Sequence, residues 1–214
     1  MKAYWVKTNW LIKNLFSGYV WAIPNSERKI YLTFDDGPTP VITDWVLDQL
    51  KKYDACATFF CIGKNIQEQP AIFKRILAEG HQVGNHTYNH LNGWKTTTNK
   101  YIENLVACQD SISKWTTLVN HATLFRPPYG KIKRSQAKLI KAKGYKIIMW
   151  DVLSADFDLT ITAENCLNNV ISNIKPGSII VFHDSNKASS NLKYALPRTL
   201  EFLQENNYHC GLLL

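Results

Sequence analysis

The segment Lys29-Ile30-Tyr31-Leu32-Thr33-Phe34-Asp35-Asp36-Gly37-Pro38 sets a strand-like run directly against two adjacent carboxylates and a turn. An apolar, β-prone run without polar alternation marks a strand buried on both faces. Asp, Gly and Pro then end it, as they favour turns. The same construction recurs outward along the chain, with short β-rich runs at 56–61 (CATFFC), 82–85 (QVGN), 122–126 (ATLFR), 145–150 (YKIIMW), 178–182 (SIIVF) and 208–213. Helix-patterned segments lie between them, at 41–53, 65–79, 98–115, 135–143, 162–173 and 196–206. Strands alternating with helices specify an α/β protein with a parallel sheet and helical crossovers. A doubly wound open sheet and a barrel satisfy that order equally. Residues 1–28, with Trp5, Trp10, Leu11 and Trp21, read as an N-terminal helical extension packed on the body, and 29–214 as a single domain.

Composition narrows the class. The chain has 214 residues, 45% hydrophobic and 20% charged, with 12% aromatic residues, which excludes a disordered tail. No uncharged run approaches the roughly 18 residues of a membrane-spanning helix. The net charge of +8 raises encounter rates with anionic partners. The lysines are nevertheless scattered, without the basic stripe and interleaved aromatics of a nucleic-acid binder. The five cysteines (Cys56, Cys61, Cys108, Cys166, Cys210) form no C-x-x-C pair. They suit a reducing compartment. The stretch after Lys13 is a poor signal peptide, interrupted by Ser17, Gly18 and Pro24, so a cytoplasmic location is expected.

The polar clusters sit where a parallel α/β fold places its chemistry, just past the C-terminal ends of strands. They are Asp35 to Pro38, His86 to His90, Arg126 to Gly130, Asp151 to Asp156, and His183-Asp184. The i, i+4 spacing puts His86 and His90 on one face of a helical turn. Two imidazoles and one carboxylate form a catalytic zinc set with an open position for water. Asp35 or Asp36 can complete it. A turn explains Gly37 and Pro38, but two adjacent acids repel unless a cation or proton intervenes. In Arg126-Pro127-Pro128-Tyr129-Gly130 the prolines donate no N–H, so Tyr129 offers the first free amide, suited to an oxyanion. Arg126 can hold a carboxylate through its fork. His183 ends an apolar strand and is a candidate general acid, supported by Asp156 or Asp184.

Thr33 to Pro38 (TFDDGP), His86 to His90 (HTYNH), Arg126 to Gly130 (RPPYG) and Val181 to Asp184 (VFHD) resemble, in order, the motifs of the NodB-like polysaccharide deacetylases, carbohydrate esterase family 4. The resemblance implies a distorted (β/α) barrel of about seven parallel strands. It implies Asp35 as catalytic base, Asp36, His86 and His90 as metal ligands, and Arg126 as the residue orienting the base. The Tyr129 amide would stabilise the oxyanion, and His183, tuned by Asp156, would be the acid. Val181 would line the acetyl pocket, and Trp94 could stack on a sugar ring. Zinc is the implied cofactor, with cobalt or nickel possible. The implied activity is metal-dependent removal of N-acetyl groups from acetylated sugars such as peptidoglycan or chitin-type N-acetylglucosamine. The alternative is the same hydrolase site acting on O-acetyl esters or on a non-peptide C–N bond of a small molecule. Two positions depart from the family. Its usual D-x-x-D-W reads Leu153-Ser154-Ala155-Asp156-Phe157 here, and Val181 replaces a usual Leu, a methylene worth about 1 kcal/mol. Both bear on the shape of the acetyl pocket.

Overall fold

The computed structural model describes residues 4–116 and 123–213. Seven parallel strands carry the fold: β1 (Lys29–Asp35), β2 (Thr58–Cys61), β3 (Gln82–Asn85), β4 (Leu124–Phe125), β5 (Lys146–Ile147), β6 (Val152–Leu153) and β7 (Ile179–His183). They pair in the order β5-β4-β3-β2-β1-β7-β6 and curl into a partial (β/α) barrel. A short β8 (His209–Cys210) pairs with the foot of β1. Eight α-helices lie among the described residues: α1 (Trp10–Leu15), α2 (Ile42–Lys52), α3 (Gly63–Glu68), α4 (Pro70–Ala78), α5 (Thr98–Ser113), α6 (Arg134–Ala142), α7 (Ala163–Ile171) and α8 (Ser189–Glu205). No helix among the described residues is long and apolar enough to cross a membrane.

The two-residue period of the strands sorts the core. Ile30, Leu32, Phe34, Phe59, Cys61, Ile180 and Phe182 face outward and pack with α2, α4, α7 and α8 in one large cluster. Their neighbours on the other face, Tyr31, Phe60 and Ile179, join Leu124, Ile148 and Leu213 in a smaller cluster inside the barrel. That inner cluster fills the lower barrel. The inward positions above it on β1 and β7 are Thr33 and Asp35, Val181 and His183, because side chains alternate faces along a strand. Apolar filling at the bottom thus gives way to polar chemistry at the C-terminal rim.

Four segments differ from the sequence expectation, one of them the strand expected at 208–213, which is only His209–Cys210. The helix expected at 65–79 is two, because Pro70 begins α4 and has no N–H to continue α3. The last helix begins two turns early, at Ser189, through polar residues that read as loop. The strand expected at 145–150 is only Lys146–Ile147, and β6 forms separately on the far edge of the sheet. Asp151 therefore precedes a strand and lies at the opposite end from the rim, where Lys7, Lys13 and the Ser178 hydroxyl converge on its carboxylate. Residue 122 of the expected 122–126 run lies outside the described residues, as do residues 1–3 of the N-terminal segment.

The rest of the N-terminal segment runs along the seam between the sheet edges. Val20 bridges Ile148 beside β5, Lys7 bridges Val152 on β6, and Ala22 bridges Ser178 at the foot of β7. Backbone N–H groups otherwise left open on an edge are thereby paired, Met149 with Val20 and Leu153 with Val6. Helix α1 buries none of its residues.

Candidate metal and catalytic site

Four strand ends and the loop after β6 build the site. Asp36 follows β1 with a φ of 82°, a conformation sparsely allowed for a residue with a Cβ. Nine non-glycine residues among those described have positive φ, and five of them, Asp36, Thr87, His90, Tyr129 and Ala155, lie in these loops. Backbone strain of this kind persists where the surroundings enforce it, commonly at functional sites.

The segment after β3 is not the helical turn that the His86–His90 spacing suggests. The Thr87 carbonyl, which a helix would give to Leu91, instead accepts from Gly63 N–H, and Leu91 N–H turns to the Thr87 hydroxyl. Asn85 caps the turn by accepting from Thr87 N–H. Two positive-φ residues still bring both imidazoles to one point. His90 Nε2 lies 3.1 Å and His86 Nε2 3.7 Å from Asp36 Oδ1. His86 Nδ1–H donates to the Arg126 carbonyl at 2.8 Å, so its Nε2 lone pair faces Asp36. Buried Asp36 Oδ1 has no hydrogen-bond partner of proper angle. Asp36, His86 and His90 are the one group of three among the described residues whose ligand atoms all lie within 4.8 Å of each other.

That arrangement fits a divalent cation. Two imidazole nitrogens and a carboxylate oxygen converge within 4.8 Å of one another, the spacing at which three ligands can share one ion. The electrostatics agree. Burial holds His86 down to about 4, a neutral imidazole at neutral pH. Burial works against charge on Asp36, but the imidazoles of His90, His183 and His86 outweigh it and hold its carboxyl well below the usual range. A carboxylate with two imidazoles is a donor set suited to zinc.

Asp35, the last residue of β1, points into the barrel and is buried. Arg126 Nη1 donates to its Oδ1 at 2.7 Å and to the Thr33 hydroxyl at 2.7 Å. Nη2 donates to the Met149 carbonyl, and the guanidinium lies 4.1 Å above the Phe60 ring. Arg126 is fully buried; burial lowers its pKa, and the Asp35 charge pulls the other way. A fork held on this many sides fixes the carboxylate direction.

Tyr129 lies in a 3-10 turn at Pro128–Gly130 with a φ of 60°. Its amide finds no backbone acceptor among the described residues. Its ring rests on His90, centroids 4.5 Å apart, and remains 59% exposed. Trp94, in the 3-10 turn after His90, is 61% exposed, with Nε1–H donating to the Ile132 carbonyl and Lys131 Nζ above its ring.

Asp156 lies three residues past β6 and is fully buried. Its Oδ1 accepts from His183 Nδ1 and its Oδ2 from His183 N–H, both at 2.7 Å. Burial alone would lower the His183 pKa. The Asp156 charge and hydrogen bond, with Asp36 and Asp35, overcome it and raise the value to about 9. His183 is therefore protonated at neutral pH, with Nε2 the ring nitrogen not taken by Asp156 and its side chain 14% exposed. Asp184, the other acid open to that role in the sequence, turns away to the Gly37 amide and the Thr43 hydroxyl. Burial raises its pKa to about 7. Phe157 packs edge-on against His183 at 5.0 Å, and Leu153 is buried in register with Val181. The two departures from the family motif are thus an aromatic wall beside His183 and an apolar neighbour for Val181.

Sequence reading missed Thr33 and Asn65. Thr33 shares the inward face of β1 with Asp35, which the two-residue period could have revealed. Asn65 donates to the Asp36 carbonyl at 2.8 Å from a loop-helix junction that carries no sequence signal.

Comparison with known proteins agrees with this geometry. The polysaccharide deacetylase family profile matches residues 22–148. A peptidoglycan-N-acetylglucosamine deacetylase of Bacillus cereus is 38% identical over 194 residues, 90% of each chain. A crystal structure of a peptidoglycan N-acetylglucosamine deacetylase with an N-hydroxybenzamide ligand superposes with TM-score 0.86 at 31% identity, covering 98% of this chain and 95% of the other. A carbohydrate esterase family 4 pseudoenzyme from Bacillus anthracis has TM-score 0.78 at 25% identity, covering 90% of this chain and 66% of its own. The strand order, the motif order and these likenesses agree: the chain belongs to the NodB-like polysaccharide deacetylases of carbohydrate esterase family 4.

Proposed function

We propose that this chain is a metal-dependent hydrolase that removes N-acetyl groups from N-acetylglucosamine-containing glycans, of the peptidoglycan type, releasing acetate. One observation carries the reading: a buried, arginine-oriented carboxylate, an Asp-His-His ligand set and a histidine held by a buried carboxylate share one rim. A binding module has no use for both a base and an acid. The substrate class is supported by the Bacillus cereus relative.

Asp36, His86 and His90 would hold the ion, zinc by donor set, with cobalt or nickel able to use the same ligands. When bound, it supplies Lewis-acid polarisation of a carbonyl oxygen and a lowered water pKa. Asp35 takes the proton of the attacking water, its acceptor oxygen aimed by Arg126. The Tyr129 N–H donates to the oxyanion that develops as the water oxygen adds to the acetyl carbon. His183 then delivers its Nε2 proton to the departing nitrogen as the C–N bond breaks, and Asp156 keeps the imidazolium oriented. The products are acetate and a free amino sugar. Val181, two residues before His183 on the same strand face, lines the acetyl methyl. The exposed rings of Trp94 and Tyr129 offer apolar faces for the glycan.

The test is acetate release from N-acetylglucosamine oligomers, peptidoglycan fragments and acetylated xylan, by zinc-loaded and chelated protein. Metal-dependent release from an N-acetylated member is expected. Silence across the panel from protein holding stoichiometric zinc refutes the glycan and points to a small-molecule C–N bond. Release from xylan alone assigns the site to O-acetyl esters.

A further inference from the structure

Asp36 sits at positive φ between two sets of hydrogen bonds. On one side Asn65 Nδ2 donates to the Asp36 carbonyl, and Ile62 N–H donates to the Gly37 carbonyl at 2.9 Å. On the other side stands Asp184, fully buried at the end of β7. Its Oδ1 accepts from Gly37 N–H at 3.1 Å and its Oδ2 from the Thr43 hydroxyl at 2.5 Å. The Thr43 hydroxyl, fully buried on α2, accepts in turn from Thr39 N–H at 2.7 Å. The Asp184 amide donates to the Asp35 carbonyl at 3.1 Å, closing the network onto β1.

The fit leaves no slack. A Cβ on Gly37 would lie 1.9 Å from Asp184 Oδ2, so residue 37 is bare where the carboxylate presses on the loop. Asp184 and Thr43 give His183 no side-chain hydrogen bond. What they share is the loop from Asp36 to Thr39 and, through adjacent residues of β7, the strand that carries His183.

We propose that Asp184, Thr43 and Gly37 are positioning residues: they hold Asp36 in its strained backbone conformation, and so hold its carboxylate on the two imidazoles and in fixed register with His183. This rests on the reading of Asp36 as a metal ligand. Without the clamp, the residue relaxes toward negative φ and its carboxylate leaves the point where His86 and His90 converge. Partners behind the ligands of a metal site typically govern affinity by about 10–100-fold.

The experiment is calorimetric titration of the metal-free protein with zinc, which needs no substrate. Thr43→Val removes the hydroxyl while keeping the side-chain shape. It is expected to weaken zinc Kd by about 10–100-fold with an unchanged circular dichroism spectrum, and Thr43→Ser should restore Kd to within about threefold. A folded Thr43→Val protein with wild-type Kd overturns the proposal, since a purely structural hydroxyl would lower Tm and leave Kd alone. If Thr43→Val does not fold, Asp184→Asn takes its place, with the same loss expected and the same null result overturning. A wild-type protein that binds no zinc removes the metal reading and this proposal with it, an outcome distinct from failure of the clamp alone.

Discussion

Asp156→Asn removes one charge, leaves the shape of the site intact, and isolates what holds His183 protonated. The His183 value rises from an ordinary 6.5 to about 9 although burial pulls it down, with Asp156 the largest opposing influence. At 1.36 kcal/mol per pH unit, the imidazolium is favoured by about 3 kcal/mol relative to water. Asparagine keeps an acceptor for Nδ1–H but not the charge, so burial then prevails and the value falls to 6.5 or below. The first assay is an NMR titration of the His183 ring in metal-free protein. The second is kcat for acetate release from about pH 5 to 10 in reloaded enzyme. The descending limb set by the acid should move down by about 2.5 pH units, leaving about a tenth of the protein competent near pH 7.5 and most of it below about pH 6. Stability follows the same linkage. A folded-state pKa above the unfolded one gives stabilisation that is complete below about 6.5 and lost as pH rises toward about 9. The variant should lack that decline. A His183 titration unmoved by Asp156→Asn would refute the assignment of its charge to this carboxylate, and with it the acid role built on that charge.

Asp35→Asn should retain zinc by calorimetry yet lose at least about 100-fold in kcat, the scale of general base catalysis; unchanged turnover would sink the base assignment. Asp36→Ala should abolish zinc binding and acetate release together, and chelation of the wild-type enzyme should reproduce the loss, reversed on adding zinc. Arg126→Met strands a buried carboxylate and should cost about 3–5 kcal/mol in urea unfolding at neutral pH. An Arg126→Met protein of wild-type stability would mean that water reaches Asp35.

The sequence by itself determined a good deal of this protein. Apolar runs ending in polar clusters placed five of the strands within a residue or two of where they form. Because parallel strands share one C-terminal face, that pattern alone gathered Asp36, His86, Arg126 and His183 at one rim. Local chemistry also reached the loops, since Pro127 and Pro128 leave Tyr129 as the first free amide. What it left open, tertiary structure decided. Asp35 and Asp36 are adjacent and chemically identical in the sequence. Only the curl of the sheet, with Arg126 buried against Thr33 and Phe60, turns one inward to a guanidinium, while the positive φ of the next turns its carboxylate to the imidazoles. Asp156 and Asp184 were likewise equivalent beside His183, until the pairing of β6 with β7 brought the distant one to the ring and α2 drew the neighbouring one away. The His86–His90 spacing predicted convergence for the wrong reason, since the two rings meet through strained loop backbone and not along a helix face. Strand length, helix period and turn chemistry act over a few residues and are written locally. The direction of a buried carboxylate depends on which distant donor the fold delivers to it.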